Sequence, residues 1–287
     1  MRNAARAAFR TRRHSTIVIT RNDAMKQGDQ PAREPRSPQQ IKDDFMRVHG
    51  AWNAAWDSML RLDAGFVDAY VQLCAVPHRR HHLDDKVRAF IALAADACAT
   101  QLYGPGVAHH LERALAFGAT REELMEVLEL ISTIGIHTSN VGVPALLEVL
   151  EEEGLRTRPA PLDERRRALK EAFEKNRGYW HPTWEGLLEF DPDFFEAYVA
   201  FSSVPWRTGV LSPKVKEFMY CAFDASSTHL YVPGLKLHMR NALRYGASAE
   251  ELMELLEVVS TTGIHGAELG APLLEAALTK QRATATA

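Results

Sequence analysis

The stretch His110-Leu-Glu-Arg-Ala-Leu-Ala-Phe-Gly-Ala-Thr-Arg-Glu-Glu-Leu-Met-Glu-Val-Leu-Glu129 decides the fold. Gly118 suits the end of one helix. Thr120 is then an N-cap and Glu123 its N3 partner, a capping box in which two side chains satisfy otherwise unpaired amides. Leu124, Val127, Leu128 and Ile131 follow at helical spacing until Gly135 interrupts. The same grammar returns as His238-Met-Arg-Asn-Ala-Leu-Arg-Tyr-Gly-Ala-Ser-Ala-Glu-Glu-Leu-Met-Glu254, with Gly246, Ser248 and Glu251 in the same places. Between His110 and His137, 17 of 28 positions match those lying 128 residues further on.

Working outward, the repeat holds without insertion. Trp52, Trp56, Asp63 and Tyr70 recur as Trp180, Trp184, Asp191 and Tyr198; Asp96, Thr100, Tyr103 and Gly106 recur as Asp224, Thr228, Tyr231 and Gly234; His137 and Pro144 recur as His265 and Pro272. Such a duplication obliges both copies to share a fold. One unit is expected at 41–155 and the other at 166–280, joined by a linker at 156–165 that carries Pro159 and Pro161 and follows Gly154. In the first copy Val87, Phe90, Ile91, Ala94, Ala95 and Cys98 form a helical stripe, and Pro144 falls early in a last helix ending near Glu153. No alternating strand pattern competes, so the chain is read as all-α.

Residues 1–40 differ from the rest. Six arginines (Arg2, Arg6, Arg10, Arg12, Arg13, Arg21) precede Asp23, the first acidic residue. The segment reads as an over-extended start, with Met25 as initiator and a disordered stretch to Gln40; an organelle transit peptide has the same composition. The remainder is ordinary for a soluble globular protein, with 46% hydrophobic and 25% charged residues and a formal charge of −3. There is no basic excess for nucleic acid, and the apolar run Ala89–Ala99, broken by Asp96, is too short to span a bilayer. Three scattered cysteines (Cys74, Cys98, Cys221) form no CxxC pair and no disulfide framework. A cytoplasmic protein with no nucleic-acid or membrane partner is expected.

The segments starting at His110 and His238 resemble the carboxymuconolactone decarboxylase/alkylhydroperoxidase D-like superfamily. The resemblance covers nearly all of each 128-residue unit, its specific part about fifty residues. It implies helical units in a tight, intertwined association, and a homo-oligomer, either a dimer or a trimer of tandem chains that mimics a hexamer of single units. The peroxidase branch works through Cys-x-x-Cys-x-x-x-His; here Cys98 lies twelve residues before His110, its repeat partner is Ser226, and no second thiol is near. Dithiol peroxide chemistry is therefore not expected. The decarboxylase branch implies loss of CO2 from a small carboxylated lactone or enol compound and protonation of the resulting carbanion, with neither metal nor organic cofactor.

Such chemistry needs a proton donor of suitable pKa. His110 and His238 match the superfamily's histidine and are the first candidates. Asp96 and Asp224 sit in a helix apolar all round, so each carboxyl must find a partner or shift its pKa; an imidazole is one such partner, a backbone amide or arginine another. His137 and His265 follow Ser-Thr-x-Gly-Ile at a helix break, where a side chain can enter a cavity. Tyr103 and Tyr231, in the turns before His110 and His238, could donate to a substrate oxygen, with His229 nearby in sequence; Thr100 lies at i+4 from Asp96 on the same helical face, and Thr228 holds the equivalent place after Asp224. The copies diverge at Gln101/His229, Asn140/Glu268 and His109/Leu237, which makes copy two the richer in ionisable groups. Its His229, His238, His265 and Glu268 could alternatively ligate a divalent metal. His78-Arg-Arg-His-His82, absent from copy two, reads as a solvated loop. A non-catalytic oligomeric accessory protein is the remaining alternative.

Overall fold

The computed structural model describes residues 36–156, 161–177 and 180–285, so the expectations for residues 1–35 lie outside the described residues. Fifteen α-helices occur in the order α1 (Pro38–His49), α2 (Ala54–Leu62), α3 (Ala64–Arg80), α4 (Asp85–Ala97), α5 (Gly104–Ala116), α6 (Arg121–Ile131), α7 (His137–Glu152), α8 (Glu164–Arg177), α9 (Thr183–Phe190), α10 (Pro192–Ser202), α11 (Val204–Thr208), α12 (Pro213–Ala225), α13 (Val232–Arg244), α14 (Ala249–Ser260) and α15 (His265–Ala285). No strand occurs among the described residues. Short 3-10 turns, Ser132–Ile136 and Thr261–Ile264, precede α7 and α15.

Local chemistry sets these boundaries. Both expected capping boxes form, Thr120 with Glu123 and Ser248 with Glu251. Gly118 and Gly246 adopt φ of +80° and +86°, left-handed conformations that a Cβ disfavours. A third capping box, Ser37 with Gln40, starts α1, and Arg36 pairs with Asp44 and Asp68. The folded part thus begins before residue 41, and residues 36–40 belong to it. Pro144 is also displaced from its expected position: α7 begins at His137, directly after the 3-10 turn, which puts the proline inside the helix. His78 and its neighbours to Arg80 end α3 instead of forming a loop.

The two copies share one core. α4 packs on α12, and each packs on the α6 or α14 of both copies, so Phe90, Ile91 and Leu130 lie in the same cluster as Phe218, Phe223 and Leu255. Burying each such aromatic or aliphatic side chain stabilises by roughly 1.5–3 kcal/mol. Two fully buried ion pairs cross between copies at equivalent positions: Arg88 with Glu254 at 2.7 Å and Lys216 with Glu126 at 2.6 Å. Each glutamate also accepts from the loop of the other copy, Glu254 from the amide of His82 and Glu126 from that of Leu211. Cys98 faces Ser226 at 3.9 Å and Thr100 accepts from Thr228 at 3.2 Å, so equivalent residues meet on an approximate two-fold axis.

Around this core the terminal helices are exchanged. α15 of copy two packs on α2 of copy one, and Ile264 and Ala271 complete a cluster with Phe45, Trp56 and Val67. Reciprocally, α7 of copy one packs on α9, and Ile136 joins Phe173, Trp184 and Phe195. Repeat in sequence and packing unit therefore do not coincide. The continuous helical run 121–152 is long and apolar enough, by length and composition, to cross a membrane, a property that core helices share; the face it buries lies in the shared core.

Candidate active sites

Each aspartate ends a buried helix beneath a tight turn. After α4 the chain makes hydrogen bonds from Gln101 and Leu102 back to the Cys98 carbonyl, and from the Tyr103 amide to the Asp96 carbonyl at 2.9 Å. The turn requires φ of +46° at Leu102; its repeat counterpart Leu230 adopts +49°. A branched side chain in this conformation costs about 1–3 kcal/mol. The strain recurs at the same place in both copies, where it swings Tyr103 and Tyr231 over the aspartates. Gly106 and Gly234 then touch the carboxylates so closely that a Cβ would fall 1.9 Å from Asp96 Oδ2 and 2.5 Å from Asp224 Oδ2.

Two cavities of about 290 Å3 result, one beside each aspartate. Asp96, 0% exposed, faces two imidazoles: His110 Nε2 from its own copy at 3.4 Å and His265 Nε2 from the other at 3.6 Å. Gln101 Nε2 lies 3.1 Å from His265 Nδ1, and Tyr103 stacks on the same ring at 3.9 Å between centroids. Burial lowers the His265 pKa, opposed by Asp96 and Glu268. Burial, followed by Glu268, raises that of Tyr103, so the phenol stays a donor at neutral pH. Arg113 closes this cavity and donates to the carbonyls of His49 and Val48. Three further imidazoles, His49, His78 and His109, line it; His49 and His109 stack at 4.2 Å. His78 thus belongs to a cavity wall, whereas His81 and His82 are exposed.

The second cavity is equivalent in plan and different in chemistry. Asp224, also 0% exposed, faces His137 Nδ1 of copy one at 3.7 Å. His137 stacks on Tyr231 at 4.0 Å and meets His229 Nε2 at 2.7 Å. His238 does not rest on Asp224; its Nδ1 lies 2.6 Å from Glu217 Oε2, and Asn241 donates to the other oxygen at 3.3 Å. Burial pushes the Asp224 carboxyl up to about 7, with Glu217 adding to the rise and His238 opposing it. Burial and the neighbouring His229 and His238 hold His137 down at about 3, so it is neutral. Arg244 and Asn140 line the same cavity, and Asn140 hydrogen-bonds Tyr231.

The expected residues are thus brought together, but across copies. His110, Asp96, Tyr103 and His265 form one site; His238, Asp224, Tyr231, His137 and His229 cluster at the other. The four-residue metal set His229, His238, His265 and Glu268 is not a site: helix exchange sends His265 and Glu268 to the first cavity and leaves His238 lining the second, with His229 against His137. Thr100 and Thr228 line neither cavity. Their helices end at Ala97 and Ala225, which cancels the helical register with Asp96 and Asp224, and the two hydroxyls pair with each other. Glu217 escaped the sequence reading because copy one carries Ala89 there, so no recurrence marked it. Cys98 is buried at 0% exposure, with its sulfur 3.2 Å from the Ala95 carbonyl.

A duplicated all-α scaffold with paired carboxylate–imidazole cavities and no CxxC defines the class. Profile comparison is specific: the carboxymuconolactone decarboxylase family matches residues 64–151 and again 192–278, and the chain belongs to that family. A crystal structure from Burkholderia xenovorans LB400, named as a candidate gamma-carboxymuconolactone decarboxylase subunit, is 78% identical, with a TM-score of 0.84 over 86% of this chain and 99% of that one. Among curated proteins nothing matches.

Proposed function

We propose that the protein is a lyase or isomerase that acts on a small carboxylated lactone or enol compound by proton transfer between imidazole and carboxyl groups, without an organic cofactor. The observation that carries this reading is Asp96, fully buried against the Nε2 atoms of His110 and His265, which line the first cavity. A carboxylate so placed orients both rings and stabilises whichever becomes protonated. The substrate carboxylate faces Arg113 in one cavity and Arg244 in the other. The C–C bond to the carboxylate breaks, CO2 leaves, and its electron pair delocalises into the lactone carbonyl as an enolate; protonated His110 or His238 then gives its proton to a nucleophilic carbon of that enolate. Glu217 supports His238 as Asp96 supports His110, while Tyr103 and Tyr231 donate to the developing oxyanion. The name of the Burkholderia relative supports the substrate class.

The test is CO2 release from carboxylated lactones by the wild type, His110→Ala, His238→Ala and the double variant. Turnover that falls by about 100-fold or more in the double variant supports the reading; full activity there overturns it. The single variants report whether one cavity or both turn over. We also infer a homo-oligomer, supported by the exposed Val141 and Val149 on α7 and Leu269 and Leu273 on α15. Light scattering that shows only monomer rejects it.

A further inference from the structure

The proton path at the second cavity runs through His238 and Glu217 and leaves a separate cluster unused. His137 Nδ1, His229 Nε2 and one oxygen of Asp224 all lie within 4.8 Å of one another. No hydrogen bond within this cluster reaches Asp224. A neutral imidazole pair places one proton between its two facing nitrogens, which accounts for the 2.7 Å contact and leaves nothing for the carboxylate. Both Asp224 oxygens are in fact buried without a hydrogen-bond partner. A carboxyl at 0% exposure without a hydrogen-bond partner is costly to ionise, and three ligand atoms within 4.8 Å of one another form a set that one cation can satisfy.

We propose that His137, His229 and Asp224 hold one divalent transition-metal ion per chain beside the second cavity, which His137 lines. Two imidazoles and one carboxylate form a donor set suited to zinc, manganese, iron(II) or cobalt(II), with metal–ligand distances of about 2.0–2.2 Å. Three protein ligands leave positions open for a carboxylate or other anionic oxygen ligand. Binding requires the 2.7 Å nitrogen–nitrogen contact to widen. His229 is half-buried on the turn after α12 and can swing to open the nitrogen–nitrogen gap, while His137 is fixed by its stack on Tyr231.

The first cavity is the internal control. Gln101 replaces His229, and its amide donates to His265 Nδ1 at 3.1 Å. The ring proton is then on Nε2, 3.6 Å from Asp96 Oδ1; Asp96 is as short of a hydrogen bond as Asp224, and the two sites differ in the nitrogen that His229 adds at the second. Around Asp96 the nitrogens of His110 and His265 lie 3.4 and 3.6 Å from the carboxylate, and among the described residues only the Asp224 group brings three ligand atoms within 4.8 Å of one another. The proposal goes beyond the proton-transfer reading and amends its metal-free expectation at one of the two cavities.

Untagged full-length protein, stripped with chelator and re-equilibrated with zinc or cobalt(II), is analysed by plasma mass spectrometry. The wild type retains one equivalent per chain, and cobalt gives ligand-field bands in the visible. His229→Gln installs the first cavity's residue at a half-exposed position; it binds at least about tenfold more weakly, with its circular dichroism unchanged. Asp224→Asn behaves likewise. Absence of retained ion in the wild type overturns the proposal, as does equal retention in His229→Gln. Because the readout is stoichiometry, it is separate from turnover: loss of activity in the His110/His238 double variant with metal retained leaves this site standing, and full activity there refutes only the proton path.

Discussion

The first cavity is lined by imidazoles that the second cavity lacks, and they give the fold a definite acid sensitivity. His109 stacks on His49, and burial together with His110 and Arg113 holds its pKa at about 4 against an ordinary 6.5. Its repeat counterpart is Leu237. A histidine depressed on folding is neutral in both states above pH 6.5. Between 6.5 and 4 the unfolded chain takes up a proton that the folded chain refuses, so stability falls as pH falls through that window. A depression of about 2.5 units at about 1.4 kcal/mol each gives an upper figure near 3.5 kcal/mol, which partial exposure of the ring reduces to about 2 kcal/mol. His109→Leu, which borrows the residue copy two already uses, removes that loss. Urea denaturation at pH 7.5 and 4.5 should show the variant losing about 2 kcal/mol less than the wild type on acidification. An identical pH dependence in both proteins would refute the argument, because it would mean the ring is not excluded from solvent as its neighbours require.

Other consequences follow from the contacts around the aspartates and across the copies. Gly106→Ala pushes a methyl into Asp96 Oδ2 and should lower stability by about 1–3 kcal/mol and displace the carboxylate; Gly104→Ala, with nothing within 4 Å, should leave the melting temperature unchanged. Equal melting of the two variants would contradict the close approach. Glu254→Gln and Glu126→Gln each strand a buried cation, Arg88 or Lys216, and should cost about 3–5 kcal/mol in chemical denaturation. Costs below about 1 kcal/mol would place those pairs in water.

Much of the fold was legible because its punctuation is local. The capping boxes at Thr120 and Ser248 and the left-handed glycines before them depend on residues within one turn, and the duplication displayed each twice. The aspartates were legible for a related reason: a carboxylate in an apolar helix demands a partner whatever the tertiary arrangement. Register beyond the helix end was not legible, since Thr100 appears one turn from Asp96 until the chain leaves the helix at Cys98. Nor was Glu217, which only one copy carries.

The pairing of sites was hidden for a deeper reason. In sequence, His229, His265 and Glu268 accumulate in copy two and make copy one look impoverished. Exchange of α7 and α15 redistributes them: His265 and Glu268 serve Asp96, while His137 and Asn140 serve Asp224. Neither copy can therefore decay as a spare, because each supplies the terminal histidine of the other's cavity. Divergence under that constraint yields two complete but unequal sites. One has a glutamine-oriented imidazole and a glutamate, the other a third imidazole and a Glu217–His238 pair. His265→Ala in copy two should thus impair the cavity built around Asp96 and spare the one around Asp224. Ligand titration of that variant, alongside His137→Ala, checks the crossing directly; an effect confined to the cavity of the mutated copy would reject it.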